Sequence, residues 1–347
     1  MHYSLLSWLI SYRDSTKAEA PKVLGNYGWW SGGRRTGYVF HADFMRLTFV
    51  FYSPKISPMT THCAAAHRDC RIVIGDARKV LATFPSDTFQ CSITSPPYWG
   101  LRDYGVDGQI GAESTVDQYL DNVVHVFREV RRVLRNDGTL WLNIGDSYTS
   151  GNRGWRDADK KNPARGMNYR PPNPEGLKDK DLIGIPWRLA LALQADGWYL
   201  RSDIIWYKPN CQPESVKDRP TRSHEYVFLL SKSENYYYNF EAMKEQTSVP
   251  GRLRNRRSVW SLNTESSKEA HFAMFPPSLV KLCMEGGSRK GSAVLDPFLG
   301  AGTVGVVAMQ LGRTCVGVEL KPDYAEIARK RVAAVTPMLA LWSEQSA

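Results

Sequence analysis

The sequence predicts an α/β fold with parallel strands, on three observations. The short apolar run Arg71-Ile72-Val73-Ile74 closes at Gly75-Asp76, Ala77 to Phe84 reads as a helix, and Phe89-Gln90-Cys91-Ser92-Ile93 is a second short strand. Together they form a parallel βαβ unit. The stretch Thr115–Leu134 then carries Leu120, Val123, Val124, Phe127, Val130 and Leu134 at helical spacing and is followed by the strand Thr139–Ile144, with Asp137-Gly138 ending the helix. Far downstream, Ala293-Val294-Leu295-Asp296 runs as a strand into a glycine turn, a helix over Val304–Leu311 and a strand over Thr314–Val318 that ends at Glu319.

Further elements fill the interval. Pro186 suits a helix start and introduces Arg188–Ala195. Tyr199–Lys208 and Glu225–Ser231 are strands, Tyr236–Tyr238 a short strand, and Pro277–Met284 and Tyr324–Val332 helices. Residues 1–58, rich in Gly, Ser, Trp and Tyr with weak periodicity, read as a poorly ordered extension outside the fold, with Met59 as a candidate start. Natural N-terminal peptides upstream of Met59 would overturn that reading.

The 347 residues carry a formal net charge of +10, which suits a polyanionic partner. The six cysteines form no C-x-x-C pair and no framework, as in a reducing compartment. His62, Cys63, His67 and Cys70 match no familiar zinc spacing, so no metal is expected. No apolar run reaches the roughly 18–20 residues of a membrane span, and Leu5–Ile10 is too short for a signal peptide. A cytoplasmic protein is expected.

Chemistry concentrates at two places. Thr94-Ser95-Pro96-Pro97-Tyr98-Trp99 ends the Phe89–Ile93 strand in a stiff corner, because neither proline can donate to a ladder. The corner offers a hydroxyl, carbonyls freed from sheet pairing and a flat ring, which suit a planar ligand bearing an amino group; a proline-ended edge strand with two core aromatics is the plainer alternative. Asp296-Pro297-Phe298-Leu299-Gly300-Ala301-Gly302-Thr303 is the second place. Gly300 and Gly302 permit close backbone approach, and Glu319, 23 positions after Asp296, can accept hydrogen bonds from both hydroxyls of a ribose. The turn lacks the third glycine of a dinucleotide fingerprint and the Gly-Lys-Ser/Thr of a P-loop. A nucleoside without pyrophosphate is the expected ligand. S-adenosylmethionine fits, with Asp296 near its ammonium or sulfonium charge.

Taken together, Ser95-Pro96-Pro97-Tyr98 followed by Asp296–Thr303 resembles the amino-group DNA methyltransferases, which methylate cytosine N4 or adenine N6, in their permuted motif order usually called beta. Gly75-Asp76, Ile205–Pro209, His224-Glu225-Tyr226 and His271 with Phe275-Pro276 extend the resemblance over about residues 70–333. It implies a doubly wound, mostly parallel sheet of seven strands, the Rossmann-like fold of S-adenosylmethionine-dependent methyltransferases. An antiparallel hairpin, Tyr199–Lys208 with Glu225–Ser231, lies at one edge.

It further implies catalysis by Ser95, Pro96, Pro97 and Tyr98. Ser95 Oγ and the Pro96 carbonyl accept the hydrogens of the target amine, while Tyr98 stacks on a base extruded from the duplex. Cofactor contacts fall to Asp76, Thr94, His271, Phe275, Asp296, Phe298, Gly300, Gly302, Thr303 and Glu319. Serine at the first catalytic position is the habit of cytosine-N4 members; adenine N6 is the alternative, and protein glutamine or RNA the more distant one. Carbon-5 methylation is disfavoured, since none of the cysteines follows a proline.

The methyltransferase domain is expected over residues 59–347, with double-stranded DNA as its partner, held by two basic segments at 149–181 and 245–268. Arg102, Arg153, Arg156, Lys160, Lys161, Arg165, Arg254, Arg256 and Arg257 are the candidate phosphate contacts. A solvated loop is the alternative for 149–181. A cognate restriction endonuclease and either a monomer or a homodimer are compatible with this reading.

Overall fold

A computed structural model describes residues 69–149, 172–265 and 275–344. The expectations for the 1–58 extension, Met59, most of the 149–181 segment and His271 lie outside these residues.

The principal sheet has eight strands in the order β1 (Cys70–Ile74), β10 (Thr314–Glu319), β9 (Ala293–Asp296), β2 (Phe89–Thr94), β3 (Leu134–Ile144), β5 (His224–Ser231), β4 (Tyr199–Tyr207) and β8 (Val259–Ser261). Neighbours from β1 through β3 are parallel. β5 runs antiparallel to both β3 and β4, and β8 is parallel to β4. Among the described residues β6 (Glu245–Gln246) and β7 (Leu253–Arg254) form a separate two-stranded ribbon.

Alternation along the strands divides the interior into two layers. Leu140, Leu142 and Ile144 of β3, with Phe228 and Leu230 of β5, face α1 (Ala77–Leu81), α2 (Val116–Val133) and α3 (Ile185–Ala195). Trp141, Val227 and Leu229 face the opposite way, against α4 (Pro277–Gly287) and α5 (Thr303–Gln310). α6 (Pro322–Glu344) packs on α5 and on β1. A strand buried on both faces explains the near-continuous apolar text of β2 and β3. α2 is ordered by burial: Tyr119, Val123, Val126, Phe127, Val130 and Val133 are each fully covered, worth about 1.5–3 kcal/mol per large side chain. The side chain of its N-cap, Thr115, accepts from Gln118 N at 3.2 Å.

Three expectations change. The sheet has eight strands because Trp260 is buried against β4, so the hairpin is followed by β8 and is not the edge. Asp137-Gly138 does not end α2; the chain turns extended at Leu134, and Gly138 sits in an irregularity of β3 opposite Phe89 and Cys91. A Cβ on Gly138 would stand 2.8 Å from the Arg135 carbonyl oxygen. Tyr236–Tyr238 is no strand. Tyr237 N donates to Asp137 O and Tyr238 stacks on Trp141, with centroids 6.5 Å apart, so these residues cap the end of the sheet. The arginines crowding the end of α2 are structural ties: Arg132 donates to the carbonyls of Leu81 and Phe84, and Arg128 pairs with Asp196.

Candidate active site

Parallel strands end together, and their carboxyl ends open a crevice where the chain turns away. β2, β3, β9 and β10 end this way around one cavity of about 540 Å³. It lies in the usual range for small-molecule sites, roughly 300–1,000 Å³.

At one end of the cavity stands the turn after β9. Asp296 is buried; its Oδ1 accepts from Thr94 Oγ1 at 2.6 Å and from Phe298 N at 3.0 Å, while Oδ2 has no described partner. Burial pushes this carboxyl up to about 7, with Glu319 adding to the shift and the two hydrogen bonds opposing it. Glu319, at the tip of β10, lines the cavity. Its Oε2 accepts from Gly300 N and its Oε1 from Lys321 N, both at 2.8 Å. Burial raises its pKa as well, against those two backbone bonds. Asp76 caps α1 through Arg78 N and pairs with the Arg78 guanidinium at 2.6 Å. Although burial opposes it, that pairing holds Asp76 below the usual carboxylate range.

The two glycines of the turn do different work. Gly300, at φ +54°, lines the cavity, and a Cβ there would meet nothing closer than 4.0 Å. Gly302, at φ +85°, faces α6 instead, where a Cβ would strike that of Ala328 at 2.7 Å. It is a packing glycine. Gly302, Asp296 and Thr94 stand behind the cavity lining and hold it, whereas Asp76, Phe275, Phe298, Gly300, Thr303 and Glu319 face the cavity.

At the other end lies the proline corner. Tyr119 Oη donates to Pro97 O at 2.8 Å, and Trp99 Nε1 to Glu113 O at 2.9 Å, which pins both sides of the corner. Among the described residues no donor is bonded to the Pro96 carbonyl. Tyr98 Oη donates to Glu225 Oε2 at 2.9 Å. The same oxygen accepts from Asn143 Nδ2 at 3.1 Å, and Lys208 Nζ donates to Glu225 Oε1 at 2.5 Å. Lys208 Nζ also sits 4.3 Å from the centre of a Trp206 ring. Burial pushes the Tyr98 phenol well above its ordinary range, and the Glu225 charge adds to that. Gly145 forms the floor, since a Cβ there would lie 2.8 Å from Tyr98 Cε2. Ser95, Pro96, Pro97 and Tyr98 all line the same cavity as Glu319.

The family model described as DNA methylase matches residues 89–330. The chain belongs to the DNA methylase family. This DNA methylase is 60% identical over 275 residues to Type II methyltransferase M.SmaI of Serratia marcescens, across 79% of this chain and 94% of that one. It is 61% identical over 258 residues to Type II methyltransferase M.Cfr9I of Citrobacter freundii, covering 74% and 86% respectively. Among solved structures, a DNA modification methylase of Thermus thermophilus complexed with S-adenosyl-L-methionine shares 27% identity at a TM-score of 0.53, over 77% of this chain and 94% of that one. The PvuII DNA methyltransferase (cytosine-N4-specific) superposes with a TM-score of 0.57 at 21% identity, covering 77% and 87%, a likeness of fold.

Some site residues of the DNA methylase differ from their expected places. Arg102 is 6% exposed and lines the cavity, so it is not displayed toward a duplex. Arg254 and Arg256 share Glu245, at 2.9 and 3.8 Å, while Arg257 is exposed. Arg153, Arg156, Lys160, Lys161 and Arg165 lie outside the described residues. Asn143, Lys208 and Glu225 are among the lining residues that were not singled out for the site from sequence. Asn143 stands near the end of β3, Lys208 just after β4 and Glu225 at the start of β5, all at strand ends.

Proposed function

We propose that this DNA methylase transfers a methyl group from S-adenosyl-L-methionine to the N4 amine of cytosine in duplex DNA. The observation that carries the reading is a single cavity lined by both Ser95–Tyr98 and Phe298, Gly300 and Glu319. Methyl donor and acceptor amine must meet within one enclosure, and this one has a carboxylate for ribose hydroxyls at one end and an amine-sized corner at the other. Glu319 keeps lone pairs beyond its two backbone bonds, and Gly300 leaves its side of the cavity open to a nucleoside.

When bound, S-adenosylmethionine supplies the electrophilic methyl. The chain's own residues prepare the amine, whose lone pair is delocalised into the ring. Ser95 Oγ and the Pro96 carbonyl accept hydrogen bonds from its two N–H groups and draw nitrogen toward tetrahedral geometry. Tyr98, held by Glu225, offers its face to the extruded base; stacking of this kind is worth about 1–3 kcal/mol, against a few for extrusion. Positioning and fixed dipoles account for most of the acceleration. Cytosine is preferred over adenine on Ser95. The reading includes duplex DNA as substrate, with Arg257 and the cations of 149–181 at its phosphates, and a restriction endonuclease of the same sequence specificity as its genetic partner.

Incubation with methyl-labelled cofactor and duplex DNA, followed by nucleoside mass spectrometry, tests it. N4-methylcytosine is the expected product. N6-methyladenine alone would overturn the choice of base, and label confined to RNA or protein would overturn the substrate class.

A further inference from the structure

We infer that Arg102 is the counter-charge for the carboxylate of the cofactor's amino-acid portion. The inference rests on the S-adenosylmethionine reading above and assigns a residue to the one anionic group of that ligand.

The argument is one of elimination among the cations of the cavity wall. Lys208 is committed to Glu225 at 2.5 Å. Arg222 donates to the Asp146 carbonyl and stands 3.9 Å from the Asp146 carboxylate. Lys321 Nζ reaches the Tyr104 carbonyl at 3.4 Å and sits 5.2 Å from the centre of the Tyr324 ring. Arg102 alone among these has neither a carboxylate nor a carbonyl for its guanidinium among the described residues, although only 6% of the residue is exposed. A charge this withdrawn from water is costly unless an anion meets it. The planar fork of a guanidinium matches a carboxylate with two parallel hydrogen bonds.

Placement agrees. Arg102 belongs to the loop that Gly100 N closes onto Gly111 O at 2.9 Å. Its positive charge opposes the upward, burial-driven shifts of both Tyr104 and Tyr324, which pack edge to face with centroids 6.2 Å apart. Glu319, whose charge adds to both shifts, lies two residues before Lys321, whose Nζ reaches the Tyr104 carbonyl at 3.4 Å. Arg102 and Glu319 thus line one cavity beside the Tyr104–Tyr324 pair, and the ligand assigned to Arg102 is the cofactor's carboxylate.

Calorimetry on the full chain separates the alternatives. S-adenosylhomocysteine and its decarboxylated analogue, S-adenosylthiopropylamine, differ only in the carboxylate. Arg102→Met is expected to weaken S-adenosylhomocysteine by about 10- to 100-fold, the size of a lost hydrogen-bonded charge pair. The decarboxylated analogue should stay within about twofold of its wild-type affinity, and Arg102→Lys should restore part of the loss for the first ligand. Equal losses for both ligands in both variants would overturn the inference, as would unchanged cofactor binding with a shallower salt dependence of DNA binding. If Arg102→Met does not fold, Arg102→Lys against the two ligands makes the same comparison. Failure of the wild-type protein to bind S-adenosylhomocysteine at all would instead overturn the cofactor reading.

Discussion

The two ends of the cavity are built by opposite means. The end beside Glu319, where the cofactor is proposed to bind, is local and made largely of main chain: Gly300 N and Lys321 N hold Glu319, and Phe298 N holds Asp296. The corner end is distributed and made of side chains. Tyr98, Asn143, Lys208 and Glu225 come from four separate segments and meet at one carboxylate. A main-chain site is fixed once its turn forms. A side-chain site depends on the register of β3 and β5, and a one-residue slip would turn Asn143 or Glu225 to the other face.

The largest effect should come from Ser95→Ala, which removes an acceptor at the amine without touching the other end. Turnover is expected to fall by about 100-fold or more, with cofactor affinity within about twofold. Single-turnover kinetics beside calorimetry would check this, and equal losses in both would break the separation between the ends. Glu319→Ala should do the reverse, weakening cofactor about 10- to 100-fold through lost charge-assisted hydrogen bonds. Saturating cofactor should then recover most of the turnover.

Next in size is the Tyr98–Glu225 tether. Tyr98→Phe and Glu225→Gln are each expected to slow turnover by about tenfold, the equivalent of one hydrogen bond of about 1.5 kcal/mol. The double variant should be little worse than Glu225→Gln alone, because both substitutions act on the Tyr98–Glu225 hydrogen bond. Additive losses would show that Glu225 acts elsewhere.

The smallest effect concerns pH. Asp296 titrates near 7 in the folded chain, because burial disfavours its charge. A carboxyl raised in this way binds a proton more readily folded than unfolded, so its contribution to stability falls as pH rises from about 4 to about 7. A cationic ligand nearby favours the ionised form. Cofactor affinity is therefore expected to rise a few-fold as pH passes through about 7, and Asp296→Asn should flatten that rise. An unchanged profile in the variant would place the titrating group elsewhere.

The contrast also explains what could be read from sequence. The elements around Glu319 were legible because strand, turn, helix and acidic tip follow one another within Ala293–Glu319, and only the different surroundings of Gly300 and Gly302 needed the neighbouring α6. At the corner, Ser95–Tyr98 was legible as a proline-ended strand, but its support was not. Glu225 lies 127 residues from Tyr98, and nothing local marks them as partners. Arg102 was expected as a phosphate contact; composition says how many cations there are, and only the fold says which of them is enclosed. β8 was missed because three residues, Val259–Ser261, carry too short a pattern to show a period.

The order of strands in the sheet has a consequence for how the protein is made. β2, β3, β4 and β5 have all been translated by Ser231, so the corner end can begin to assemble while the rest of the chain is still being synthesised. The cofactor end cannot. β1 pairs with β10, Cys70 beside Cys315, and β9 must be inserted between β10 and β2. Pairings this remote in sequence are slow to form. A fluorescent analogue of S-adenosylhomocysteine is therefore expected to bind chains extending past Glu319 with β10 paired, and to ignore shorter ones.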